Sequence, residues 1–112
     1  MTDKTVVLVT VPDQKTAELL AHRLLEARLI ACAQFLPGLT SVYEWKGKVE
    51  TAQEWLLILK TRSDAFEKLC ERIQSLHPYE VPQIVALPIE RGHLPYLQWI
   101  DAVMGGRPAA DQ

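Results

Sequence analysis

Four consecutive residues, His77-Pro78-Tyr79-Glu80, bring an imidazole, a phenol and a carboxylate into one short segment. Imidazole is a common ligand for copper and zinc, and a nearby carboxylate can bind a metal or orient the ring. Cys32 adds a thiol whose thiolate suits Cu(I). His77, Glu80 and Cys32 are therefore the candidate metal ligands. The competing expectation is structural: His77 and Tyr79 close a helix end, and Cys32 behaves as a small apolar core group. Cys70 sits on an apolar helical stripe and reads as packing.

Glu54 and Lys60 are six positions apart in a strand-like run. An even spacing on a strand puts both on one face. Together with Tyr79 they are the candidate ligand-binding residues, able to line a cleft between subunits where Lys60 holds an anion. The alternative is a plain ion pair at a surface or interface.

The elements that must position these groups follow from hydrophobic periodicity. Thr5 to Val11, TVVLVTV, is β-branched and suits a central strand buried on both faces. Asp13 is a helix N-cap candidate. Ala17, Leu20, Ala21, Leu24 and Leu25 then mark one helical stripe. A second strand starts at Cys32, is interrupted by Pro37-Gly38 and resumes to Trp45. Lys46-Gly47 reads as a hairpin turn, and Lys at its first position suggests a turn longer than two residues. The return strand runs from Lys48 to about Thr61. Asp64 with Glu67 has capping-box spacing before a helix carrying Phe66, Leu69, Cys70 and Ile73. That helix ends before Pro78. Pro82 to Ile89 forms the last strand, and Pro95 opens a final helix with Leu97, Ile100 and Met104 on one face.

The order β-α-β-β-α-β with a terminal helix predicts an α+β, ferredoxin-like sandwich with a long second hairpin. One domain accounts for all 112 residues, with a core over about 5–104 and a loose tail over 105–112. The hairpin strands exceed the usual length, and their apolar edges predict an oligomer in which partner chains cover them.

Several classes are argued against. The net charge is −2 and the basic residues are scattered, so a nucleic-acid partner is not expected. The first strand has no aromatic residue to stack a base. No apolar run reaches the roughly 18 residues of a membrane helix. No basic stretch precedes an apolar leader, and two isolated cysteines suit a reducing compartment, so a cytoplasmic location is expected. There is no GxSxG, HExxH, P-loop or GxGxxG motif. Acylphosphatases share this general architecture but need an Asn, and this chain contains none. A non-enzymatic role is the expectation.

An ordered set of segments carries a family resemblance. They are Thr10-Val11-Pro12-Asp13, Ala31-Cys32-Ala33, Pro37-Gly38-Leu39-Thr40-Ser41, Trp45-Lys46-Gly47-Lys48, Leu59-Lys60-Thr61, His77-Pro78-Tyr79-Glu80, Leu87-Pro88 and Tyr96-Leu97-Gln98-Trp99. From about Val7 to Val103 the chain resembles the CutA family of divalent-cation tolerance proteins. The resemblance implies a homotrimer built through the long hairpin and a link to copper or another divalent cation, with no cofactor required. It leaves room for an unidentified protein partner. The family's trimer is similar to that of PII signalling proteins, which gives an alternative: a sensor that binds a small anion between subunits. In members proposed to bind copper, the considered ligands are a first-strand Cys and a His pair before Pro-Tyr. Here those positions are Val9, Leu76 and His77.

Overall fold

The computed structural model describes residues 1–105. Four strands, β1 (Lys4–Val11), β2 (Cys32–Trp45), β3 (Lys48–Arg62) and β4 (Ile84–Pro88), alternate with helices α1 (Gln14–Glu26), α2 (Phe66–Leu76) and α3 (Leu94–Met104). The sheet is antiparallel throughout, in the order β2-β3-β1-β4. This is the α+β, ferredoxin-like arrangement that the element order predicts. The expected tail from residue 106 onward lies outside the described residues.

One face of the sheet is closed by helices. Val7 pairs with Leu59 and Val9 with Leu57. These four are fully buried against Leu20 and Leu24 of α1 and Leu69 and Ile73 of α2. The opposite face has no such cover. Leu8 and Ile58 are only half-buried there, while their neighbours Leu36, Val85 and Leu87 are exposed. The expectation that β1 is buried on both faces therefore holds for one face alone within a protomer. Leu25 also departs from expectation: it is 39% exposed, because the α1 stripe that meets the sheet is narrower than the apolar run.

Local chemistry sets the element ends. Asp13 Oδ1 accepts the Thr16 N–H at 2.8 Å, so the N-cap forms as read from sequence. The predicted capping box does not form. A 3-10 turn over Ser63–Ala65 precedes α2, and Asp64 instead receives the guanidinium of Arg62 at 2.7 Å. α3 crosses one end of the sheet. There the buried Lys4 ammonium pairs with Asp101 at 3.1 Å, and Arg28 donates to the Val103 carbonyl at 2.7 Å.

The β2–β3 hairpin extends far past its neighbours. β1 pairs with β3 only as far as Val11 opposite Trp55, so residues 39–54 run on as a two-stranded arm. The molecule is consequently 50 Å long and 26 by 24 Å across. Pro37-Gly38 does not break β2 but makes a bulge between Leu36 and Leu39, with Gly38 at φ +90°. The turn is tighter than expected. Trp45 pairs with Lys48, leaving a two-residue loop in which Lys46 (φ 51°) and Gly47 (φ 82°) both take positive φ.

Candidate functional site

The segment that follows α2 is fastened to the sheet by its own side chains. α2 stops at His77 because Pro78 disfavours helical backbone in the residue before it. His77 is 8% exposed. Its Nε2 lies 2.8 Å from the Thr10 carbonyl oxygen, and its Nδ1 lies 3.1 Å from the Tyr79 backbone nitrogen. A carbonyl only accepts and a backbone N–H only donates, so the ring is neutral with its proton on Nε2. Both nitrogens are thereby committed to backbone. The Tyr79 ring packs on the imidazole with centroids 4.8 Å apart, and its hydroxyl donates to Glu54 Oε2 at 2.8 Å.

This bracket walls a groove of about 650 Å³ between the hairpin arm and the segment 78–83. Tyr43, Trp45 and Tyr79 supply aromatic walls, and Glu54 and Glu80 supply carboxylates. Ser41, Thr10 and Gln83 add neutral polar groups. Glu54 is 6% exposed, although it sits beyond the end of β1. Burial, with the Glu54 carboxylate beside it, pushes the Tyr79 phenol well above its ordinary range, so Tyr79 stays a neutral donor.

The residues predicted to act together are divided among three places. Tyr79, Glu54 and Glu80 meet at the groove. His77 lies behind it as a support. Lys60 shares the face of Glu54, as the even spacing requires, but the two stand about 20 Å apart along the strand. Lys60 Nζ is engaged by Gln34 Oε1 at 2.6 Å, and Lys60 pairs across the ladder with Cys32. Cys32 Sγ is 3.4 Å from the Tyr96 hydroxyl, in a cluster that includes the stacked rings of Tyr96 and Trp99. Burial with the Cys32 contact raises the Tyr96 phenol to about 12.

A resident copper ion does not fit this arrangement within one protomer. Among the described residues no three His, Cys, Asp or Glu side chains converge. Copper and zinc normally take three or four donors, and the His77 nitrogens are already used. The sequence singles out neither Tyr43 nor Trp45 as a candidate site residue. Their place in the groove depends on the hairpin arm passing the 78–83 segment, a long-range approach that no local pattern announces.

The comparisons with known proteins agree with one another. The family described as CutA1 divalent ion tolerance protein matches residues 5–103. The divalent-cation tolerance protein CutA of Thermus thermophilus is 54% identical over 95 residues, covering 85% of this chain and 92% of that protein. Human protein CutA is 46% identical over 95 residues, and the chain spans 53% of its length. Among solved structures, the Thermus thermophilus divalent cation tolerance protein superposes with a TM-score of 0.84 at 52% identity, covering 87% of this chain and 94% of that one. The Archaeoglobus fulgidus structure, described as a periplasmic divalent cation tolerance protein, gives 0.88 at 40% identity, with 90% and 98% covered.

Proposed function

The chain belongs to the CutA1 divalent ion tolerance family, and from that premise we propose that it serves cation tolerance as a non-enzymatic homotrimer. The observation that carries the assembly is the uncovered sheet face. Leu36, Val85 and Leu87 are each more than 40% exposed and are contiguous with the half-buried Leu8, Leu56 and Ile58. Contiguous apolar surface of this kind marks an interaction site, and a second and third copy of the chain supply matching surfaces. The exposed Val42 and Val49 add apolar surface on the other face of the arm. The two free thiols support a cytoplasmic setting for this assembly.

Copper, in this reading, binds weakly and through exposed groups drawn from more than one protomer, because the described residues of one protomer do not bring three donors together. Lys60 stands away from the groove and gives no support there to a PII-like anion site.

Sedimentation analysis of the purified chain is the first test, with a mass of three chains as the expected result and a single-chain mass as the refutation. Calorimetric titration of that assembly with Cu(II) and Cu(I) is the second. Saturation in the micromolar to millimolar range is expected, with His77→Ala binding as the unaltered protein does. Absence of saturation below about 1 mM rules out a direct ion-binding role.

A further inference from the structure

We infer that Glu54 of one protomer pairs with Lys60 of the next, so that the buried carboxylate at the root of the hairpin arm is completed by a neighbouring chain. The inference rests on the homotrimer reading and deepens it, naming the charged contact that fixes how one copy's arm meets another copy's sheet.

Three observations converge. The first is the state of Glu54. It is almost wholly buried, it accepts from the neutral Tyr79 phenol, and among the described residues no Lys, Arg or His forms an ion pair with it. A carboxylate taken from water without a cationic partner is costly. The groove around it adds Glu80 and no basic residue. Covering this side with another chain raises the cost, and a base brought by that chain offsets it.

The second is the set of bases on the open face. In the part of the sheet where β1 pairs with β3, the basic residues that share the parity of Leu8 and Ile58 are Lys4, Lys60 and Arg62. Lys4 is held by Asp3 and Asp101, and Arg62 by Asp64 and Asp101. Lys60 forms no ion pair among the described residues, and its ammonium donates to the neutral amide of Gln34. Lys48 has the same parity but is exposed near the arm tip, where water solvates it. Covering the open face therefore leaves Lys60 in want of an anion, as it leaves Glu54 in want of a cation.

The third is geometry. Within one chain the two groups stand about 20 Å apart along β3 and cannot pair. Glu54 sits just beyond the last β1 pairing, Val11 with Trp55, where the arm leaves its own sheet. Head-to-tail contacts that close into a ring bring unlike patches of two copies together. An arm that projects past its own sheet then lies on the sheet of the next copy, open face against open face. That contact sets the unpaired carboxylate of one chain against the unpaired ammonium of its neighbour.

The test is a double-mutant cycle on the full-length chain, with Glu54→Gln, Lys60→Gln and the two together. Sedimentation over a dilution series in mild urea reads the concentration at which the three-chain mass is half lost. Each single change is expected to raise that concentration at least about tenfold, and the double variant about as much as either one. Sites about 20 Å apart in one chain act additively, so coupling of this kind arises only between chains. Additive effects, or an unchanged concentration in either single variant, overturn the inference and leave the homotrimer standing. A single-chain mass in the unaltered protein refutes the homotrimer itself.

A covalent trap covers the case in which Glu54→Gln disturbs the protomer. Glu54→Cys and Lys60→Cys are combined in a chain freed of its own thiols by Cys32→Ser and Cys70→Ser. A disulfide bridges only residues whose Cα atoms lie within about 7 Å, so the new pair cannot close within one chain. Oxidation is expected to give a three-chain species on a non-reducing gel, while either new cysteine alone gives two chains at most. Absence of the three-chain species overturns the inference.

Discussion

Leu57 and Leu59 point into the helix layer and are wholly buried, whereas Leu56 and Ile58, alternating with them on β3, face away and remain half-open. The two sets are almost the same in composition. Their surroundings differ because α1 and α2 both pack on one side of the sheet. One face is completed within the protomer, and the other is left with exposed apolar surface, Leu36, Val85 and Leu87 among it. The hydrophobic core thus answers to protomer stability, and the open face is the surface that the proposed homotrimer would use. The groove belongs to the open side, since Glu54 has the same strand parity as Leu56 and Ile58.

The largest effect is expected on the closed face. Leu59→Ala leaves a cavity among Val7, Leu24 and the α2 side chains, in a core too well packed to collapse around it. A loss of about 2–5 kcal/mol is expected in denaturant unfolding at fixed protein concentration. A loss under about 1 kcal/mol would mean that the helix face is not the stabilising core.

The open face breaks differently. Ile58→Lys places a charge in the middle of the uncovered surface, where a protomer alone tolerates it and an interface does not. Far-ultraviolet dichroism is expected to stay unchanged while the sedimenting mass falls from three chains to one. A variant that keeps the full mass would separate the open face from assembly and leave the arm alone as the contact.

How far the sequence foretold this division depends on distance along the chain. The strand and helix order is legible because each element carries its own period, and Asp13 is legible because a cap acts within three residues. The hairpin turn is shorter than its residue types suggest because Lys46 takes a left-handed φ that its type disfavours. The capping box at Asp64 fails because Arg62, two residues back, takes the carboxylate first. The site was only half legible. Alternation correctly puts Glu54 and Lys60 on one face, but it says nothing of the distance between them or of the tertiary wall that receives only one. The commitment of both His77 nitrogens was out of reach, since one partner, Thr10, is 67 positions away.

The smallest expected effect tests whether the closed face can be weakened without touching the open one. The Asp13 carboxylate accepts from Thr16 and lies near Lys15, and the Thr16 hydrogen bonds hold it below the ordinary carboxylate range. A group with a depressed folded-state pKa stabilises fully above its unfolded value, roughly pH 4, and loses that stabilisation as pH falls through the folded value. Asp13→Ala is therefore expected to lower the Tm slightly at pH 7, with the difference from the unaltered chain shrinking by pH 3. Asp13→Asn keeps a neutral cap, so its Tm difference from Asp13→Ala should persist at both pH values. Because α1 lies across the sheet from Leu56 and Ile58, the sedimenting mass of both variants should match that of the unaltered chain. A change of mass in Asp13→Ala would show that the two faces are coupled through the sheet rather than independent.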